Sequence, residues 1–376
     1  MLIYSLPYFF LIFIYLLLYL YEKNGITPEK TLKVRFIAAF IFILFFGFRG
    51  YIGSDWFNYN AYYSEATLSS WTSQDYELGF SFVAKLLHDI GFSFEYFVLI
   101  ITIFQTFLFD RFLKNESKNV SLGYVILICI FPLLIIDLLR NFTAILIAVQ
   151  SIDFLRRNKK LKAILIIIAS VFFHATGVTF FILFLLKNRY FKRRTVVVFL
   201  LVGIVIYLLQ IRYIDYIILT IGDLLGGRFQ YLAGTVLKSD EGYGIRFGIL
   251  EKIILMIIVL LNYNNIVSSK IISPVLLNSF FCYCLIQLYF SAYDSIINRF
   301  ALLFFWAYLI ILSNVKIIVK NSTAGNISLI FVIFLCLFKI IATFSTDLYR
   351  YTNNIFEKDS YETRAILRNE HYKYAE

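Results

Sequence analysis

The 376-residue chain is 60% hydrophobic and 19% aromatic, and only 16% of it is charged. Soluble domains average about 45–50% apolar and about 25% charged residues, so this composition excludes a water-facing globule; the aromatic content equally excludes a disordered chain. With four prolines and 17 glycines there is little room for flexible linkers, and a polytopic membrane protein is what remains.

The formal net charge is +11, from 35 basic and 24 acidic residues. The basic residues are spread over short loops between apolar runs, which favours membrane topology over nucleic-acid binding. Cys129, Cys282, Cys284 and Cys336 lie in apolar stretches and show no disulfide framework or zinc-ligand spacing. Three scattered histidines and the absence of any P-loop, G-x-S-x-G or H-E-x-x-H motif point to neither a metal nor a cofactor.

Taken in chain order, the first apolar run, 2–21, is long enough to cross a bilayer of about 30 Å at about 1.5 Å per residue. It has no basic n-region and no A-x-A site, so an uncleaved first helix is expected. Further apolar runs lie near 34–48, 94–109, 122–139, 141–155, 163–186, 195–211, 249–263, 274–290, 300–315 and 326–345. The basic loops 22–35, 110–120 and 156–162 alternate correctly if the N-terminus is outside. Loop 187–194 is just as basic, and a single crossing after 162 would put it on the wrong side. A re-entrant hairpin over 163–186, with His174 at its tip, removes that conflict, because broken backbone is tolerated where protein shields it. Ten crossings then remain, with both termini outside. A single tilted helix is the alternative and would invert everything after 187.

Between spans, Leu78, Phe82, Val83, Leu86, Leu87 and Ile90 recur at helical spacing and suggest a helix lying in the membrane interface near 77–90. The expected fold is therefore all-α: about ten transmembrane helices, a re-entrant hairpin and an interfacial helix. A single polytopic membrane domain over 1–345 would be followed by a charged C-terminal tail, 346–376.

On this topology eight basic residues lie outside before the tail, and six of them are arginine: Arg49, Arg140, Arg212, Arg228, Arg246 and Arg299. Only seven of the 20 basic residues in cytoplasmic loops are arginine. Topology has no reason to prefer arginine outside, whereas a polyanionic ligand does, through bidentate guanidinium–phosphate contacts. For Arg49, Arg140 and Arg299 taken singly, snorkelling to the headgroups explains the position as well.

The densest outside segment begins at Arg49 and runs through Gly53 and Asp55 to Trp56, Tyr59 and Tyr62. Asp55 is the only acid between Arg35 and Glu65. The aromatics fit an interfacial belt or a sugar-stacking surface. Asp137 and Arg140 are three apart and could form only a local ion pair. His174 stands alone in an apolar run, either as a functional ionisable group or as a neutral ring bonded to a backbone carbonyl or to Thr176.

The ordered pieces Arg49-x3-Gly53-x-Asp55-x3-Tyr59, Glu77-x-Gly79-Phe80, Leu139-Arg140-x3-Ala144, Phe173-His174 and Asn298-Arg299 resemble the EpsG family. That family is similar to the Wzy polymerases of O-antigen, capsule and exopolysaccharide assembly. Two departures are Asn141, where glutamine is expected, and the long charged tail. The resemblance implies a glycosyltransferase that joins undecaprenyl-diphosphate-linked oligosaccharide donor and acceptor on the outer face of the plasma membrane, with a chain-length regulator as a further partner. The six arginines would then bind the diphosphate. Asp55 or His174, with Glu77 as a further candidate, would act as base, and Trp56, Tyr59, Tyr62 and Asn298 would hold the glycan. A flippase of lipid-linked glycan and a membrane O-acyltransferase compete with this assignment. The first is disfavoured by the lack of an internal repeat, the second by the lack of an acyl-donor site.

Overall fold

In the computed structural model the described residues are 2–23, 27–68, 76–227, 234, 246–293, 300–356 and 359–373. Their regular structure is helical, and the one β-type pairing among them is an isolated antiparallel bridge between Arg49 and Asn353. The chain divides into two compact units: Met1–Leu183 with Leu312–Asn314 and Asn326–Glu376, and Phe184–Ile311 with Val315–Gly325.

Three helices among the described residues are long and apolar enough to cross a bilayer: Ile3–Lys23, Phe94–Glu116 and Ser322–Phe344. The pair Phe247–Leu261 and Tyr263–Ser269, bent by 59°, adds a fourth if it is one span. The other apolar runs appear as shorter or interrupted helices, so the ten crossings expected from hydropathy are not seen as ten long helices. The run 122–139 shows why. Its helix Val120–Ile130 ends where Pro132, lacking an N–H, opens the short helix Pro132–Ile136. A second break at Leu138, with φ −94° and ψ 50°, precedes the helix Leu139–Val149. Large side chains such as Phe10, Phe36, Phe107, Leu185 and Phe334 are exposed on the surface, as expected of helices that meet lipid rather than water.

In the first unit the helix Val120–Ile130 lies at the centre, with every residue from Val120 to Cys129 buried. It packs against Leu2–Lys23 and Pro28–Phe42. The Glu22 carboxylate closes its N-terminus by accepting from the backbone N–H groups of Val120 (2.9 Å) and Ser121 (3.1 Å), a negative charge at the positive end of the helix dipole. Gln105 joins Phe94–Glu116 to Leu139–Val149 by donating to the Leu139 carbonyl (3.1 Å) and Thr143 Oγ1 (2.9 Å).

The segment 160–186 consists of the helix Lys160–Val171, a break at 172–174, a 3₁₀ helix Ala175–Ile182 and the turn Leu183–Leu186. Its helix and 3₁₀ helix pack against each other, with His174 in extended conformation between them. The expected two arms are therefore present, the second as 3₁₀ helix. The helix near 77–90 is also present, as Leu78–Asp89, but its protein-facing side is Phe80, Ser81, Ala84 and Lys85. Phe82 and Ile90, from the stripe identified in the sequence, point outward and are exposed.

The C-terminal segment is a docked part of the first unit. Gly50 N–H donates to the Thr352 carbonyl (2.8 Å), Asn354 N–H to the Phe48 carbonyl (2.8 Å), and Arg368 Nε to the Ser54 carbonyl (3.0 Å). Tyr361, opening the helix Tyr361–Lys373, sets its ring against Trp56 and Phe57.

The second unit is built on Pro274–Tyr289, which packs against Arg193–Leu208, Phe247–Leu261 and the 3₁₀ turn Ala301–Phe304. Asn278 braces its loop 186–191, donating to the carbonyls of Leu186 (2.9 Å) and Arg189 (2.8 Å) and accepting from Phe191 N–H (2.9 Å). Glu251 and Lys252 are buried side by side, with the Tyr308 hydroxyl donating to Glu251.

Candidate active site

Three of the sequence motifs meet in the first unit. Glu77 is the extended residue before the helix Leu78–Asp89, and its carboxylate forms an ion pair with Arg140, at the start of Leu139–Val149. The other carboxylate oxygen of Glu77 accepts from Ala175 N–H (3.1 Å), immediately after the hairpin break. The Gly79 and Phe80 N–H groups both donate to the Phe172 carbonyl (2.8 and 3.3 Å). A Cβ on Gly79 would lie 2.8 Å from that oxygen, so only glycine allows this approach. The Glu-x-Gly-Phe sequence thus reads as a docking edge for the hairpin tip.

Arg140 is held on its other sides by rings. Its guanidinium carbon lies 3.9 Å from the centroid of Tyr76 and 6.0 Å from those of Tyr59 and Phe80, within cation–π range. Its Nε–H is buried and has no hydrogen-bond partner among the described residues. A cavity of about 690 Å³ opens beside it, lined by Tyr76, Glu77 and Arg140 at one part and by Ile168, Val171, Phe172, Val178 and Phe181 at the other. The hairpin provides the apolar wall and the ion pair the charged one.

The neighbouring groups set the electrostatics. Burial works against the ionised Glu77, yet the Ala175 N–H and the charges of Arg140 and His174 outweigh it and hold the carboxyl below its usual range. Glu77 is thus kept as a carboxylate that orients Arg140. His174 accepts from Thr176 N–H at Nδ1 (3.3 Å) and lies 2.7 Å from Thr176 Oγ1. An imidazole that accepts at Nδ1 carries its proton at Nε2 when neutral. The bond to Thr176 is one of the alternatives left open by the sequence.

Asp55 lies on the adjoining turn. Gly53, at φ +84°, reverses the chain, and Asp55 precedes the helix Trp56–Ser64. Its carboxylate is half-buried and receives a long contact from Ser54 Oγ (3.4 Å). Burial first, and the nearby Asp137 carboxylate second, raise its pKa, while the charges of Arg140 and Arg368 pull the other way.

The other sequence candidates are placed differently. Arg49 is buried and turns inward, donating to the Phe46 carbonyl and, at 3.4 Å, contacting Thr102 Oγ1; the structure does not bring it to the cavity. Trp56 and Tyr59 are 5% exposed, their rings packed on Tyr51, Phe57 and Tyr361 and on Tyr76 and Phe80 respectively. Both are core residues that shape the site. Tyr62 is half-buried against Tyr76. Arg212 and Arg246 belong to the second unit, where Arg212 pairs with Asp215 (2.9 Å) and Arg246 precedes the helix Phe247–Leu261. Arg228, Asn298 and Arg299 lie outside the described residues. The local pair between Asp137 and Arg140 is not formed, because the break at Leu138 removes the common helical face. Asp137 instead accepts from the N–H groups of Ser54 (2.6 Å) and Asp55 (3.1 Å) and from the Tyr349 hydroxyl (2.7 Å).

This assembly unites the Glu77, Arg140 and 173–174 pieces of the motif order, and the family model for the EpsG family matches residues 32–354. The chain belongs to the EpsG family. EpsG proteins form a Wzy-like exopolysaccharide polymerase family, and membership indicates a membrane protein with polymerase-like function. No curated protein and no solved structure matches this EpsG-family chain. Among its described residues no group of three or more histidine, cysteine, aspartate or glutamate side chains could hold a metal ion.

Proposed function

We propose that this EpsG-family protein joins polyprenyl-diphosphate-linked oligosaccharide repeat units on the outer face of the plasma membrane. One observation carries the proposal: a cavity whose apolar wall comes from the hairpin and whose charged wall is Arg140 held by Glu77. Such a cavity matches a substrate that is lipid at one end and diphosphate at the next.

In the reaction, an acceptor sugar hydroxyl attacks the anomeric carbon of the donor. A new glycosidic C–O bond forms as the bond to the diphosphate breaks, and the diphosphate departs with its lipid. Negative charge grows on that leaving group, and a preorganised arginine aimed at it lowers the barrier. Arg140 fits this role, with its Nε–H unpaired and a ring on its face. Asp55 takes the proton of the attacking hydroxyl, and its raised pKa brings its basicity closer to that of the task.

Deletion of the gene tests the reaction class. Cells lacking the protein should accumulate single lipid-linked repeat units and display single units in place of a polymer ladder. Loss of all surface glycan would instead indicate a flippase, and a full-length ladder lacking acyl groups would indicate an O-acyltransferase.

A further inference from the structure

A tightly held group near the site is one that the reaction above does not use. Asp137 is 4% exposed and lies between the breaks at Pro132 and Leu138. One carboxylate oxygen accepts from Ser54 N–H, Asp55 N–H and, at 3.4 Å, Ser54 Oγ. The other accepts from the Tyr349 hydroxyl, and Tyr349 is held in turn by the Tyr8 hydroxyl, which donates to its carbonyl (2.9 Å). Gly53 fits against the same oxygen: a Cβ there would lie 2.3 Å from it. The turn that carries Asp55 is therefore clamped from one side by the segment preceding Arg140, and from the other by the C-terminal segment, where Gly53 N–H also donates to the Leu348 carbonyl (3.0 Å).

We infer that Asp137, fixed by Tyr349, is the positioning residue for Asp55, setting the place of its carboxylate through the two backbone N–H groups of the Ser54–Asp55 turn. Two consequences distinguish this role from simple packing. Asp137 is two residues before Leu139 and three before Arg140, so the same short segment places the group for the leaving diphosphate and the group for the attacking hydroxyl. Asp137 also brings a second negative charge to Asp55, whose other charged neighbours are Arg140 and Arg368. A like charge beside a carboxylate disfavours ionisation. The same side chain thus governs both the location and the basicity of Asp55. Tyr349 makes the C-terminal segment part of the catalytic architecture.

The inference rests on Asp55 being the base, and the test separates the two. The substrate is the lipid-linked oligosaccharide that accumulates in cells lacking this protein, extracted and added to proteoliposomes of the purified full-length chain. Asp137→Asn keeps an oxygen for the two N–H groups but removes the charge. It should lower turnover about tenfold or more with little change in KM, and should move the acid limb of the pH–rate profile to lower pH. Tyr349→Phe, which retains the ring, should lower turnover less and leave the acid limb near its wild-type position, because the Asp137 charge remains. Wild-type turnover and an unmoved acid limb in Asp137→Asn, alongside an inactive Asp55→Asn, would overturn the positioning role while leaving the base intact. An active Asp55→Asn would instead remove the base itself. If Asp137→Asn does not reach the membrane, Tyr349→Phe decides: wild-type turnover in it overturns the inference.

Discussion

Glu77 and Arg140, 63 residues apart in the chain, form an ion pair that a third element completes: Ala175 N–H donates to the free oxygen of Glu77. The start of the helix Leu78–Asp89, the helix after the Pro132 break and the segment after His174 are thus joined at one carboxylate. Both side chains keep about a fifth of their surface exposed, so the pair is neither a screened surface contact nor a dry buried one.

This geometry separates orientation from charge. Arg140→Lys preserves the charge but loses the planar fork and its stacking on Tyr76. Turnover should fall by about 10²-fold, each tenfold corresponding to about 1.4 kcal/mol. Glu77→Gln should free Arg140 and lower turnover by a smaller factor. The double variant should cost less than the sum of the two, since residues in contact couple by about 0.5–3 kcal/mol. Polymer ladder length and proteoliposome turnover measure both effects, with membrane levels followed by immunoblot. A full ladder from Arg140→Lys at normal protein levels would exclude a bidentate role.

The pH dependence of turnover follows from Asp55. As a base it acts only when ionised, and burial together with Asp137 raises its pKa above the usual carboxylate value. Activity should therefore be lost on acidification at a higher pH than an ordinary exposed aspartate, near 3.9, would give. Glu77, held below its usual range, should add no second acid limb in the same region. Turnover measured from about pH 4 to pH 8 in proteoliposomes checks this, and Asp55→Asn should abolish the reaction across the whole range.

The C-terminal segment should matter for stability as well as for turnover. Arg364 is 3% exposed, pairs with Asp359 (2.8 Å) and donates to the carbonyls of Asp347 and Arg350. Arg364→Ala removes the donor to the Arg350 carbonyl, while Asp347 and Asp359 keep their bonds to Arg350, and should cost about 1–3 kcal/mol. Arg368, half-buried with a bond to the Ser54 carbonyl and its guanidinium over Phe57, should cost about 1 kcal/mol on replacement by alanine. Thermal unfolding in detergent should rank the two variants in that order. A variant ending at Thr346 should lose turnover along with melting temperature.

Sidedness is open to a direct measurement. Loops 156–162 and 187–194 are both expected in the cytoplasm because both are densely basic. Asn188 is exposed, so Asn188→Cys, on a background with the four native cysteines replaced by alanine, should not react with an impermeant maleimide added outside intact cells. Reaction from outside would favour the single tilted crossing at 163–186.

Composition determined the class of this protein. A chain with 16% charged residues cannot cover a soluble surface, and its apolar runs are long enough for lipid. Local chemistry marked the breaks: Pro132 ended a helix, and His174, isolated in an apolar run, stood where the hairpin turns. The motif order was also legible, because a family's site residues recur as short linear pieces. The sequence could not show who pairs with whom. Arg140 has an acid three residues away in Asp137, and another 63 residues away in Glu77. A continuous helix would have favoured the near one, but the break at Leu138 turned Asp137 toward the Asp55 loop and left Arg140 for Glu77. The burial of Arg49, Trp56 and Tyr59 was likewise hidden, because arginines and aromatics are at home both at a membrane face and in a core. The place of the charged tail was not legible, since charge density along the chain says nothing of the backbone groups and the carboxylate that meet it elsewhere. Those partners, Phe48, Gly50, Ser54 and Asp137, lie about 300 or about 200 residues earlier and come within a hydrogen bond's reach, about 3 Å, only when the chain has folded.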